Sequence, residues 1–422
     1  MKYNISHRLC KDSSIIRIAE DIKLTQSFHK DKIWTNLGVG SPYITTEIHN
    51  FWNEVVQSLD HELLTRNLEK YGEFGGTLSL KKIICTVFNA ELGWEIEPEN
   101  VLITNGSQNL FYMLSCIFTA KNGPYDNKKI LIPMVPEYPG YGALTIDPNS
   151  IDAILGLENI LDEYTFQYQI DIDMINSITT DYSSVLLSQP KNPSGGVLSE
   201  QELVFLQKFS QKRNIPLIID SAYGNPFPSL CYEPISLPLT ENMLYSFSLS
   251  KCGIPASRVG IAIGEKYLIK ALLNFQCNSS IQPAIYGQML AEKALNGMRL
   301  LSFCQEHLKP LYWAKYMIAM SCLKLFFEDV QWQVHKYEGG MFLWLRFLHK
   351  DLFDSDIYDE AKKEQLIVIP GSIFFFGVSD EIKKTQACIR ISLAVEDDEL
   401  QRGFQILSRV VNKLIENANT KC

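Results

Sequence analysis

Short apolar runs, each closed by polar and glycine residues, recur along this chain between longer stretches of helical spacing. "VLITNG" (101–106), "KILIPM" (129–134), "SSVLLSQP" (183–190), "IPLIIDSAY" (215–223), "NMLYSFSLS" (242–250) and "RVGIAIG" (258–264) have strand length and are rich in Ile, Val and Leu. Such runs predict buried strands that end in polar loops. Helical patterns separate several of them. In 199–213, Ser199 stands before the periodic residues and Glu202 follows three positions on, which predicts a capping box. "NLFYMLSCIFTA" (109–120) is apolar but too short to span a bilayer, so it predicts a buried helix. Strands alternating with helices predict a mostly parallel sheet covered on both faces.

Beyond residue 300 the texture changes. A long helical pattern over roughly 286–327 precedes three strand-like runs: "GGMFLWLRF" (339–347), "LIVIPGSIF" (366–374) and "CIRISLA" (388–394). A final helix is expected at 396–416. The fold class is therefore α/β: a large unit with a mostly parallel central sheet flanked by helices, plus a smaller α/β unit. The expected division is 1–50 as an N-terminal arm and part of the small domain, 51–300 as the large domain, and 301–422 as the small C-terminal domain. A length of 422 residues suits two domains.

Composition narrows the function classes. A net charge of -9 argues against nucleic acid as a partner. Ten cysteines are scattered without a C-x-x-C pair, and the seven histidines show no metal-binding spacing. That excludes the usual zinc and disulfide frameworks and predicts reduced thiols in a cytoplasm. The start, "MKYNISHRLCKDSS", lacks the apolar core of a signal peptide, and no apolar run reaches membrane-spanning length.

In open parallel sheets, ligands bind beyond the C-terminal strand ends. The residues there are "NGSQ" (105–108), "PEYPGY" (136–141), "KNPSGG" (191–196), "DSAY" (220–223) and "SLSK" (248–251). Backbone N–H groups at Gly106, Ser107 and Gln108, opening a helix, suit an anion. Ser248 and Arg258 would add a hydroxyl and a permanently charged fork. Asp220 ends a buried strand and needs a cationic or hydrogen-bonding partner. A protonated ring nitrogen would provide one. Asn192 and Tyr223 can donate to a phenolate oxygen on the same ring, and Tyr138 can stack on its face. Each residue alone has an ordinary explanation: a turn, a solvated charge, a core aromatic. Together with Lys251 for an aldehyde, they describe a site for pyridoxal 5'-phosphate.

These stretches, in order, resemble the fold-type I, class I/II aminotransferases: "YGEFGGTLSLK", "TNGSQ", "PEYPGY", "KNPSGG", "DSAYG", "SFSLSKCGIPASRVG" and "CIRISLA". The resemblance covers nearly the whole chain. Within the family, "LGWEIEPENVLITNGSQ", "DSAYGNPFP", "EGGMFLWLRF" and "VIPGSIFF" are similar to the bacterial valine–pyruvate subgroup. The resemblance implies that Lys251 binds the cofactor and shuttles the Cα proton, and that Asp220 pairs with the ring nitrogen. It implies a phosphate cup of Gly106, Ser107, Gln108, Ser248, Ser250 and Arg258. It also implies that Tyr71 reaches a neighbouring subunit's phosphate, hence a homodimer with shared sites. Arg390 and the Gly40 N–H would hold the substrate carboxylate, with Asn192 beside them. The implied reaction is ping-pong transfer through pyridoxamine phosphate, from valine or a similar amino acid to pyruvate. Tyr43, Phe74 and Phe375 are candidates for an apolar side-chain pocket.

Other classes lack their marks. No G-x-G-x-x-G follows a first strand, as a dinucleotide site would need. The first 50 residues show no helix-turn-helix pattern. A β-lyase or synthase on the same fold would use the same cofactor residues, and a different amino donor would too. Arg390 favours transamination, because it would hold the carboxylate in the ring plane and leave Cα–H as the bond to break.

Overall fold

The computed structural model describes residues 14–28, 32–120, 128–379 and 388–420. The polar start of the chain with Cys10, and the terminal Cys422, lie outside the described residues. Strands in chain order are β1 (Thr35–Asn36), β2 (Val101–Thr104), β3 (Lys129–Val135), β4 (Ile151–Leu155) and β5 (Leu157–Ile160). Next come β6 (Thr165–Gln169), β7 (Tyr182–Ser188), β8 (Leu217–Asp220), β9 (Met243–Ser248) and β10 (Gly260–Gly264). The last are β11 (Trp332–His335), β12 (Phe342–Phe347), β13 (Leu366–Ile367), β14 (Ile369–Pro370) and β15 (Cys388–Ser392).

Two sheets organise the molecule. The larger has seven strands in the order β2-β10-β9-β8-β7-β3-β4. Its pairs from β9 through β4 are parallel, while β10 runs antiparallel to both neighbours. β2, β7, β8, β9 and β10 are buried along their whole length, as unbroken apolar runs require. Because β10 reverses, the chain turns back between Lys251 and Gly260 and lays residue 260 beside Thr104. The second sheet has six strands, β14-β15-β12-β11-β6-β5, mostly antiparallel. β1 pairs separately with β13.

Helix Glu200–Arg213 begins as expected. Ser199 Oγ accepts from the Glu202 N–H at 3.3 Å, and the Glu202 carboxylate accepts from the Ser199 N–H at 2.8 Å. The helix Ser107–Phe118 and the terminal helix Asp397–Asn419 also form where the pattern places them.

Elsewhere the structure differs from the sequence reading. The helical run 286–327 is broken. Helix Ile285–Leu295 ends before Gly297, which has φ +64°, and a π turn (Cys304–Leu308) precedes helix Lys309–Phe326. Pro310 lacks the N–H that a continuous helix would need there. The run 366–374 is two two-residue strands in different sheets, followed by a 3-10 turn, Gly371–Phe374. β4 and the hairpin β5–β6 have no counterpart among the strand-like runs of the sequence pattern. Among the described residues, no helix is long and apolar enough to cross a membrane.

Candidate active site

The strand ends of the seven-stranded sheet converge, and three cations and one acid meet there. Asp220 closes β8 and is buried. Its Oδ2 accepts from the Tyr141 hydroxyl at 2.7 Å and its Oδ1 from the Ala222 N–H at 3.2 Å. Burial pushes the carboxyl up to about 7; the Tyr141 hydrogen bond opposes this, and the Glu137 charge adds to it. Lys251 follows β9 in the 3-10 turn Leu249–Cys252. Its ammonium donates to the Gly40 carbonyl at 2.7 Å and lies 5.5 Å from the Tyr223 ring centre. Burial, then the Arg390 charge, lower its pKa to about 8, with Asp220 pulling the other way.

Arg390 comes from the other sheet, on β15. It is buried, with Nη1 donating to Asn192 Oδ1 at 3.3 Å and Nη2 to the Gly38 carbonyl at 3.2 Å. Its Nε has no partner. The guanidinium lies 4.0 Å from the Phe342 ring centre and 5.3 Å from that of Phe374. Among the described residues no carboxylate pairs with it. Burial lowers its pKa to about 10. A buried cation held by carbonyl oxygens and aromatic faces is incomplete without an anion.

Arg258 forms the other half of a cationic cup. It adopts a left-handed backbone (φ +53°), unusual for a residue with a side chain and typical of functional turns. Its Nη1 donates to the Pro255 carbonyl at 3.1 Å and its Nη2 to the Asn105 carbonyl at 3.4 Å. Gly106 precedes the helix Ser107–Phe118 with φ +89°, and a Cβ there would sit 2.2 Å from Arg258 Nη2. Ser107 Oγ accepts from the Ser246 hydroxyl at 2.9 Å. Gln108 is exposed at the helix start. Ser248 Oγ donates to Ser250 Oγ at 2.9 Å and accepts from the Ser250 N–H at 3.1 Å, which shapes the lysine turn.

The aromatic candidates are placed unequally. Tyr223 is buried; burial pushes its pKa up while Arg390 opposes. Tyr138 is mostly covered, its ring 5.3 Å from Tyr141, and its pKa is raised by burial and by Asp220. Tyr71 is 75% exposed and meets nothing in this chain's site. Gly40 faces Lys251 through its carbonyl. Phe375 does not line a pocket: it is fully buried, packed against Tyr168 and Trp344. Its position after the turn Gly371–Phe374 directs the ring into the core. Phe74 lies on the surface, and Tyr43 is half-buried under Lys315, 4.5 Å from its ring centre.

Three residues of these motifs have roles that the sequence pattern does not reveal: Tyr141, Glu137 and Lys191. Tyr141 holds Asp220. Glu137 and Lys191 form a buried ion pair at 2.8 Å. The available signal was Glu137 itself, a carboxylate directly after an apolar strand, which demands a partner.

An α/β sheet with a lysine, an acid and two arginines gathered at its strand ends defines the class. The chain belongs to the aminotransferases: the family "Aminotransferase class I and II" matches residues 32–407. Members of that family use pyridoxal 5'-phosphate. The chain is 28% identical over 378 residues to the valine–pyruvate aminotransferase of Escherichia coli (strain K12), covering 89% of this chain and 90% of that one. The crystal structure of valine-pyruvate aminotransferase AvtA from Salmonella typhimurium LT2 superposes with a TM-score of 0.82 at 27% identity, covering 94% and 99% of the two chains. A protein of Psychrobacter arcticum 273-4, provisionally described as an amino-acid aminotransferase, superposes with a TM-score of 0.92 at 27% identity over 99% of this chain and all of that one.

Proposed function

We propose that this aminotransferase moves the amino group of L-valine, or a similar aliphatic amino acid, to pyruvate, giving 2-oxoisovalerate and alanine. The observation that carries the reading is the incomplete cation Arg390, buried within reach of Asn192 and facing the same space as Lys251. An α-carboxylate completes it. The choice of valine and pyruvate rests on the two valine–pyruvate aminotransferases just described.

The residues fit pyridoxal 5'-phosphate. Gly106 leaves open the space that a Cβ would take from Arg258, at the positive end of a helix, as a phosphate needs. Asp220, kept from water, suits a protonated ring nitrogen. When bound, the cofactor supplies an electron sink for the electron pair left at Cα. Arg258, Ser107, Gln108 and the Gly106 backbone would hold the phosphate, with Ser248 and Ser250 ordering the lysine turn. Asn192 and Tyr223 would hold the ring oxygen, and Tyr138 would cover the ring face. Arg390 and Gly40 would fix the carboxylate, leaving Cα–H exposed to Lys251. With its pKa lowered to about 8, the Lys251 amine is neutral in a useful fraction of molecules and can take and return the Cα proton.

The wider reading is a homodimer in which Tyr71 completes the partner's phosphate site, with domains at 1–50, 51–300 and 301–422. The eight described cysteines are free, which accords with a reducing cytoplasm.

The test is the visible spectrum of the purified, cofactor-supplemented protein before and after L-valine, with no acceptor present. A visible band that valine bleaches supports both cofactor and donor. A band indifferent to valine but bleached by another amino acid removes the valine assignment. The Lys251→Ala variant should lose turnover while still binding cofactor weakly, and normal turnover in that variant would contradict the assignment of Lys251.

A further inference from the structure

One buried polar cluster at these strand ends has no part in the roles above. Glu137 is fully buried and Lys191 is 2% exposed. Glu137 Oε2 accepts from Lys191 Nζ at 2.8 Å and from the Ser188 N–H at 3.0 Å. Its Oε1 accepts from the Tyr138 N–H at 2.8 Å and from the Ser188 hydroxyl. Ser188 Oγ in turn accepts from the Asn192 N–H at 3.3 Å. The Glu137 N–H donates to the Phe374 carbonyl at 3.0 Å, in the turn whose aromatic ring packs on Arg390.

The Glu137 carboxylate thus ties the loop carrying Tyr138 to the loop carrying Asn192, and the backbone N–H of the same residue adds the turn carrying Phe374. Every donor it meets is internal, so it is not placed to exchange protons with a substrate. Nor is stability a sufficient reason for it: buried ion pairs add little over apolar residues of the same shape. What an ion pair with several hydrogen bonds does supply is a single geometry.

We propose that Glu137 and Lys191, acting through Ser188, are positioning residues that set Tyr138 and Asn192 at the cofactor ring. This rests on the reading that those two residues hold pyridoxal phosphate. It accounts for charge buried where the ring residues need only backbone support. It also explains why the Lys191 side chain turns inward from a loop that leads straight into Asn192.

The test titrates cofactor-free protein with pyridoxal 5'-phosphate, reading visible absorbance for affinity and visible circular dichroism for ring orientation. Three forms are compared: wild type, Glu137→Gln/Lys191→Met and Ser188→Ala. The double variant removes both charges together, so it avoids leaving one buried alone. Ser188→Ala removes one hydroxyl and should fold in any case. The expected result is about tenfold weaker cofactor binding in the double variant and about threefold in Ser188→Ala. In both, the ellipticity per bound cofactor should be reduced, which a merely stabilising role would not produce. Wild-type affinity and ellipticity in a folded double variant overturn the proposal. If the double variant does not fold, the same result in Ser188→Ala overturns it. Failure of the wild type itself to develop the visible band overturns the cofactor reading instead.

Discussion

At the scale of single residues, the site holds three groups whose charges burial opposes: Asp220, Lys251 and Arg390. Asp220 has its pKa raised from 3.8 to about 7, and burial is the largest cause. A carboxyl raised by folding stabilises the fold while protonated. That contribution is full below the unfolded value and is lost as pH rises through about 7. Above that pH, cofactor-free protein carries a buried charge that the unfolded chain would hydrate. Asp220→Asn removes this cost and leaves an oxygen that can accept from Tyr141. The cofactor-free variant should be more stable than wild type by about 1–2 kcal/mol at about pH 8. The difference should shrink at about pH 5. Its cofactor affinity should fall by about tenfold or more, because a neutral amide does not pair with a protonated ring nitrogen. Thermal melts of cofactor-free protein at the two pH values, with a cofactor titration, check both halves. Equal melting at about pH 8 would contradict the burial cost.

At the scale of elements, the helix Ser107–Phe118 offers its N-terminus where β10 brings Arg258 alongside β2. Gly106→Ala would place a methyl group 2.2 Å from Arg258 Nη2 at a φ of +89°, which alanine adopts only under strain. The guanidinium is the free end of a flexible side chain, so the fold should accommodate the change while Arg258 moves away. Expected are a stability loss of about 1 kcal/mol and phosphate binding weakened by about tenfold or more. Inorganic phosphate binding to cofactor-free protein, followed by calorimetry, measures this directly. Elements were legible in proportion to how local their causes are. The Ser199–Glu202 capping box depends on a spacing of three and was visible in the sequence. The β5 strand is exposed throughout and shows no apolar alternation. It is held by pairing with β6, which in turn pairs with β11 far along the chain. Tyr141 was equally hidden, since only the packed structure shows that its hydroxyl meets Asp220.

At the scale of the molecule, the site draws on both sheets. Asp220 ends a strand of one, Lys251 follows its neighbour and Arg258 precedes the reversed strand, while Arg390 lies on a strand of the other. No spacing rule joins residue 390 to residue 192, and only the family resemblance suggested their association. One candidate remains apart: Tyr71, exposed three residues beyond the helix His61–Leu68, which has no fully buried residue. Leu63, Leu68 and Phe74 around it are 48%, 63% and 56% exposed. The helix rests on the core through Leu64 but leaves Leu63 and Leu68 uncovered, an apolar surface that favours association. A second copy would cover it and carry Tyr71 to the neighbouring phosphate. Mass measurement in solution should therefore give a dimer. Leu68→Asp should shift the protein to monomers at concentrations where the wild type is dimeric. The monomer should hold the cofactor at least tenfold more weakly, because it lacks the partner's tyrosine. Tyr71→Phe, with the dimer intact, should reproduce part of that loss. A wild-type protein that is monomeric and fully active on dilution would show that this chain completes its site alone, and would remove Tyr71 from it.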